Sequence, residues 1–538
     1  MPRRITLSAL ALSAALALAA CSAGSNADSP AGADASRAAD AKPVDGGTLT
    51  FDVASDAGCV DPQQVGSNET IYATRQFVDS LTDQDPETGT IEPWLAKSWD
   101  VSPDGTTFTF HLVTGATFSD GTPVDAAAVK ANLDAATKLG ARATLVTNYL
   151  TGYVGADVVD PQTVKVTFSA PNAQFLQATS TFSLGLVSVA STRQSPDERC
   201  KGIVGSGPFT LDHYTQGKEI VLKKRADYDW GSSLWTTQGA AHLDGITFQI
   251  VPEASVRSGS LQSQQVDAIS SLSPQDLDLI ESTGGHVISR TNPGIPLHLA
   301  VNNSRPATSD VKVREAISRA LDRQEVIDTV LSKQYEPATS VLSDTTPGYA
   351  DESELLTTDQ AKAKQLLDEA GWEEGTDGVR EKDGQKLNLD LYWFNNGNFG
   401  PTTELFQQQL KKVGIGVTIH QAQISEAAQV QKDGNFDLIY GGLTRADGDI
   451  LRTSYSTKGT NNARIPVTEL DDVLAQQLAT VDVDQRNALL AKAQQLIVSN
   501  YYVIPVVQQT TVLATTGDVH DLDFEASSRL QFHDTWKG

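Results

Sequence analysis

Apolar and polar residues alternate with period two in three early stretches, 48–53, 106–112 and 163–168. Alternation that is rich in β-branched and aromatic residues predicts strands with one buried face. Gly46-Gly47 supplies a turn before the first of them. Helical spacing predicts a helix from Ile71 to Leu81, and Pro123 opens an Ala-rich helix running to about Lys138. From about Thr247 the rhythm changes. Strand 247–251, helix 254–264 and strand 266–270 are followed by a helix starting at Ser273-Pro274 and by strands 287–290 and 297–302. The rhythm resumes with strand 387–394, helix 402–413, strand 415–419, helix 425–432 and strand 436–440. Alternation of this kind implies crossover units in a parallel sheet, whereas the early strands suit antiparallel pairs. Gly414 occupies a helix C′ position. Between the blocks, Asp322-x-x-Glu325 and Thr357-x-x-Gln360 fit capping boxes, and Gly371 ends the second helix. The pattern predicts an α/β fold with mixed sheets, two α/β blocks and a β-rich early segment. That organisation suits a two-lobed clamshell with a hinge.

The first residues carry a different pattern. Arg3 and Arg4 precede an apolar run from Ile5 to Ala20, and Leu18-Ala19-Ala20-Cys21 ends it. Charged, apolar and small residues in that order predict a secretory signal peptide over residues 1–20. The run is short for a membrane span, which needs about 20 apolar residues. The stretch around Cys21 resembles the lipobox of bacterial lipoproteins, which implies an acylated Cys21 as the first mature residue. An ordinary signal peptide with a nearby cysteine is the other reading. Residues 21–43, made largely of Ala, Ser, Gly and Asp, predict a disordered linker. Its reach as a flexible coil is on the order of 25 Å. The implied location is extracytoplasmic, tethered to the lipid bilayer through Cys21.

Composition narrows the function classes. The chain has 538 residues, 39% hydrophobic and 20% charged, enough for two or three domains. With 41 Lys and Arg against 67 Asp and Glu, the net charge of −26 argues against nucleic acid as a partner. Once Cys21 is assigned to lipid, Cys59 and Cys200 remain, and an even remainder outside the cytoplasm suggests a disulfide. Two buried free thiols are the alternative. Eight scattered histidines without H-E-x-x-H give no preformed metal site, and no phosphate loop or G-x-S-x-G is present. No cofactor is expected.

Several motifs together resemble the extracytoplasmic solute-binding proteins of peptide and nickel ABC importers, family 5. They are Gly46-Gly47-Thr48-Leu49, Asp61-Pro62, the segment from Ile91 to Leu112 (IEPWLAKSWDVSPDGTTFTFHL) and Phe118 to Val124 (FSDGTPV). Val204 to Phe209 (VGSGPF) and Asp310 to Arg323 (DVKVREAISRALDR) complete the set. The resemblance implies a periplasmic-binding-protein-like clamshell with an extra inserted domain. Its expected divisions are a discontinuous first lobe of 44–295 and 506–538, an inserted α+β subdomain at about 70–190, and a second lobe of 296–505. Cys59 and Cys200 then fall in or beside the first lobe, which strengthens the case for their disulfide.

The resemblance also implies a function and a site. The expected protein is a monomer that captures a small peptide-like solute and hands it to an ABC permease, whose ATPase drives import, without catalysis. Uptake of a non-peptide amino-acid conjugate, an opine or a nickel or other metal chelate is the alternative. A lipid-anchored hydrolase is a distant third. In peptide-binding members a carboxylate after a late second-lobe strand holds the ligand ammonium, and Asp447 and Asp449 occupy the matching region. Leu443 and Ile450 depart from the family pattern there, so solvated loop acids are an equal reading. Arg445 suits two-pronged pairing with a carboxylate or a surface position. Trp393, Asn395, Asn396 and Phe399 combine an apolar wall with directed amides ahead of a helix start, as small-ligand pockets need, or form a core Trp and a polar turn. Asn461 and Asn462 match a loop near the cleft or cap a helix, and Ser67–Glu69 is the first-lobe candidate.

Overall fold

The computed structural model describes residues 42–394 and 399–538. The expected signal peptide, Cys21 and the candidates Asn395 and Asn396 lie outside the described residues. Three main sheets organise the rest. The largest has seven strands, in spatial order His286–Thr291, Thr510–Thr515, Ala268–Ser270, Thr48–Val53, Gly245–Ile250, Glu219–Lys224 and Phe209–Thr215. Thr48–Val53 runs parallel to both of its neighbours, and the other pairings are antiparallel. A strand from the far end of the chain, Thr510–Thr515, therefore sits inside this sheet.

The second sheet has five strands, in order Gly416–Ala422, Asn388–Phe394, Leu438–Thr444, Gly294–Val301 and Val503–Val507. Its first three strands are parallel, as the alternation of helix and strand predicts, and Gly294–Val301 pairs antiparallel on both sides. All eight residues of Gly294–Val301 are buried, which fits a central strand covered on both faces. The third sheet, Ala96–Val101, Thr107–Leu112, Thr163–Phe168 and Tyr153–Asp160, is antiparallel throughout. Thr163–Phe168 alternates half-buried and buried positions along its whole length. Phe108, Phe110, Val164, Val166 and Phe168 face a core closed by the Ala126–Ala136 helix, through Val129 and Leu133.

The chain passes between the two larger sheets twice, at 291–294 and at 507–510. The two passages are tied together, since the Asn292 amide donates to the Gln509 carbonyl at 2.6 Å. Paired crossing segments of this kind are where a hinge between two sheets belongs.

Several expected elements differ in extent. The helix expected over 71–81 spans Asn68–Thr74, continues as a 3₁₀ turn over Arg75–Phe77, and gives way to strand Thr82–Gln84. Tertiary partners end it: the Gln76 amide bonds the Leu530 carbonyl, and the Asp79 N–H donates to Ser206. The Ala-rich helix starts at Ala126 rather than Pro123, because the Asp125 carboxylate caps the Ala128 N–H. Asp322 caps Glu325 as expected, but the Thr357 box is displaced to Asp359, which caps Lys362. Thr357 instead receives the Arg319 guanidinium.

The Val204–Phe209 motif has a steric cause. A Cβ on Gly205 would lie 1.7 Å from the Phe77 carbonyl oxygen, and one on Gly207 would lie 2.6 Å from that of Gln76. Both positions require glycine because two backbones touch there. Cys59 and Cys200 form a disulfide across a sequence separation of 141. Beside it, buried Asp61 pairs with Arg199 at 2.8 Å.

Candidate functional site

Residues from three parts of the fold converge near one tyrosine. Tyr149, the last residue of helix Thr144–Tyr149, belongs to the core of the four-stranded sheet. Tyr72, together with Phe532 and Leu530 of the C-terminal segment, belongs to the core of the seven-stranded sheet. Arg445 directly follows strand Leu438–Thr444 of the five-stranded sheet. The Arg445 guanidinium carbon lies 5.4 Å from the centre of the Tyr149 ring. The charge of Arg529, in the C-terminal hairpin, acts on both Tyr149 and Tyr72, and its guanidinium carbon lies 5.3 Å from the Phe182 ring.

Both arginines are buried, at 8% and 6% exposure, yet neither forms a carboxylate ion pair among the described residues. Among the described residues, Arg445 donates one hydrogen bond from its side chain, to Thr453 at 3.0 Å, and Arg529 donates one, to the Ser527 carbonyl at 3.1 Å. The Nε of each has no hydrogen-bond partner among the described residues. Other buried arginines are satisfied differently. Arg199 has Asp61, Arg380 has Asp368, and Arg257 donates to the carbonyls of Val251, Pro252, Ser270 and Ser271. Burial without full pairing is costly for a cation.

Two neutral phenols stand near these arginines. Burial, joined by the charges of Asp447 and Asp449, pushes the Tyr149 hydroxyl up to about 12, against the opposing pull of Arg445 and Arg529. Burial and the Glu69 charge also raise Tyr72, opposed by Arg529 and a hydrogen bond with Thr511. Both phenols therefore keep their protons at neutral pH. Arg529 itself is lowered by burial, with Glu525 and the two tyrosines opposing. Thr511 donates to Asn292 at 2.8 Å, and Asn292 reaches Thr444 at 3.4 Å, so the hinge borders the site.

Bridges across the gap hold the sheets close. Gln84 donates to the Ala446 carbonyl at 3.2 Å, and the Ala173 amide donates to the Leu478 carbonyl at 2.9 Å. These two bonds join the two sides directly.

The expected acids sit at the edge of this site and are already engaged. Asp447 receives both Arg486 Nη atoms, at 2.6 and 2.8 Å, and the Asp449 amide at 2.7 Å. Burial works to raise its pKa, but the Arg486 charge and hydrogen bonds outweigh that and hold it below the usual carboxylate range. Asp449 is fully buried, with Arg452 on both oxygens at 2.7 Å and Gln477 at 2.5 Å. Neither acid is a solvated loop residue, and each carries its own cation.

Of the remaining expected residues, Trp393 packs in the core of the five-stranded sheet, and Phe399 stacks edge-on against Tyr440 at 4.8 Å. Asn461 closes a turn by bonding both backbone groups of Ile465, while Thr468 caps the following helix, Glu469–Ala479. Asn462 lies half-buried in the same turn. Glu69 accepts from Ala54, Ser270 and Ser271. The structure thus unites Arg445 with three residues that sequence reasoning missed, Tyr72, Tyr149 and Arg529. Among the described residues, no cluster of three His, Cys, Asp or Glu could hold a metal, and no helix is long and apolar enough to cross a membrane.

Residues 90–464 match the family model described as bacterial extracellular solute-binding proteins, family 5. The chain belongs to that family. It is a two-lobed solute-binding protein of the ABC-importer type, as the motifs imply. Family 5 relatives include the glutathione-binding protein GsiB of Escherichia coli (strain K12), 27% identical over 502 residues, covering 90% of this chain and 93% of that protein. The solved structure of NikA from Brucella suis in complex with Fe(III)-EDTA superposes with a TM-score of 0.81 at 26% identity, covering 91% of this chain and all of that one. DppA from Helicobacter pylori, in complex with the peptide STSA, has the same fold, with a TM-score of 0.75 at 22% identity and coverage of 92% and 98%.

Proposed function

We propose that this family 5 protein captures a small peptide-like solute between its lobes and delivers the closed form to a membrane permease coupled to an ATPase. The observation that carries this reading is the buried, polar site at Tyr149, where residues from three parts of the fold converge beside the paired crossing segments. A ligand that touches all three cores binds the closed state better than the open one, and only such differential affinity drives closure. Similarity to a glutathione-binding protein supports a peptide-like cargo. A non-peptide conjugate, an opine or a metal chelate is the second reading. It draws support from the internal pairing of Asp447 and Asp449, which leaves no unpaired acid there for a ligand ammonium, and from similarity to a protein that holds Fe(III)-EDTA.

In this reading capture and release are the whole task, without covalent chemistry, and the protein works as a monomer. The first lobe takes 44–295 and 506–538, with a subdomain inserted at about 70–190, and the second takes 296–505. The sheet order supports that division. Acylation of Cys21 would hold the protein near its permease. Calorimetry against di- and tripeptides, glutathione, opines and nickel or iron chelates tests the reading, with small-angle scattering to follow closure. Binding with a drop in radius of gyration is expected. No binding and no closure with any of these would overturn it.

A further inference from the structure

The two arginines of the site come from different parts of the fold. Arg445 is carried by the five-stranded sheet, and Arg529 by the C-terminal hairpin whose Phe524, Leu530 and Phe532 pack in the core of the seven-stranded sheet. The structure brings two partly satisfied guanidinium groups to one tyrosine, Arg445 at 5.4 Å from the Tyr149 ring and Arg529 near enough for its charge to act on it. The nearest acids are shared with other cations. Asp447 and Asp449 are held by Arg486 and Arg452, and Glu525 is held by Arg75 at 2.9 Å. Each guanidinium has a planar fork suited to a carboxylate, and the neutral phenols of Tyr72 and Tyr149 add hydroxyl donors between them.

We propose that the solute carries two separated carboxylates, one for Arg445 and one for Arg529, so that the ligand's own charge completes the closed state. The inference rests on the solute-capture reading and adds its substrate class. A neutral solute would bring no charge to either guanidinium. A zwitterion with one carboxylate would satisfy only one of them, and its ammonium would face the other. Two sources offer the required chemistry: a peptide with an acidic side chain as well as its C-terminus, and a metal chelate whose carboxylates wrap the ion.

The test is calorimetry on the full chain with probes matched in size. Glutathione, with two carboxylates, is compared with its glycine monoethyl ester and with trialanine. Fe(III)-EDTA represents the chelate class. Glutathione, Fe(III)-EDTA or both should bind. If the peptide acid binds, blocking one carboxylate should weaken it about tenfold to a hundredfold, the loss expected for a charged hydrogen-bonded contact. Arg445→Gln and Arg529→Gln should each weaken the diacid that binds by a similar factor. For the peptide acid, one of them should leave the monoester's affinity unchanged, which identifies the arginine that reads the esterified end. If either variant fails to fold, the ester comparison on the unaltered protein decides, and Arg445→Lys tests the fork with the charge kept. Trialanine binding and closing the lobes as well as the diacids would overturn this inference while leaving solute capture intact. Wild-type affinity in both glutamine variants would do the same. Failure of every probe, neutral ones included, to bind or to close the lobes would overturn the capture reading and this inference with it.

Discussion

Replacing Asp447 by asparagine separates a structural acid from a ligand-binding one. The carboxylate is 3% exposed and accepts both forks of Arg486, whose side chain is 14% exposed. Two unit charges about 4 Å apart attract by about 4 kcal/mol at an effective dielectric near 20. Removing one partner of a buried pair strands the other, which typically costs about 3–5 kcal/mol. Asp447→Asn should therefore lower the urea midpoint of the ligand-free protein by an amount equivalent to about 3–5 kcal/mol, with Arg486→Met similar. Asp447→Leu combined with Arg486→Met should recover most of the loss, because neither charge is then stranded. The acid limb gives a second reading. The folded pKa lies below the unfolded one, so this contribution is present above pH 4 and is lost as pH falls through the depressed value. The asparagine variant should lack that part of the acid transition. An unchanged urea midpoint together with abolished ligand binding would refute the reasoning and make Asp447 a ligand residue.

Three further outcomes follow from the fold. Gly205→Ala should disrupt folding or cost several kcal/mol, because its Cβ would lie 1.7 Å from a backbone oxygen; circular dichroism and expression yield check this. Asp79 is raised to about 7 by burial, against hydrogen bonds from Trp230 and Tyr228 and the charge of Arg75. Its contribution to stability should be full below about pH 4 and fade as pH rises through 7, and Asp79→Asn should flatten that slope in thermal melts. Replacing Cys59 and Cys200 by serine should lower stability by up to about 5 kcal/mol in the chain-entropy model for a closed loop of this size, measured against the oxidised protein in urea.

The sequence made the fold legible where local physics decides it. Period-two strands such as Thr163–Phe168 and the Asp322 cap appear where the pattern puts them. The family motifs are legible for a related reason. Trp94 lies under the Arg75 guanidinium at 4.7 Å, Gly205 lets two backbones touch, and Asp310 caps Val311–Ala320. These are fold-keeping jobs, so the motifs identify the clamshell and are silent on its cargo. The partners that end the helix near Phe77 lie at 206 and 530, beyond any local window. Site residues suffer most. Arg445 was visible as a fork beside two acids, but nothing near Tyr149 or Arg529 in the chain marks either, because 296 and 84 positions separate them from Arg445. The two acids drew attention by their charge, and it took three dimensions to show that Arg486 and Arg452 claim it.

The strand Thr510–Thr515, wedged between Ala268–Ser270 and His286–Thr291, also sets an order of assembly. A chain made N-terminus first has all five strands of the smaller sheet in hand by Val507, but the larger sheet keeps an open seam until almost the last residues arrive. Such a long-range pairing is entropically slow to make and exposes strand edges while it waits. Premature termination anywhere before Thr510 would yield a product with one finished half and one adhesive half. The C-terminal segment is thus the closing stitch of the molecule, and it carries Arg529 with it, so the site cannot be completed before the fold is.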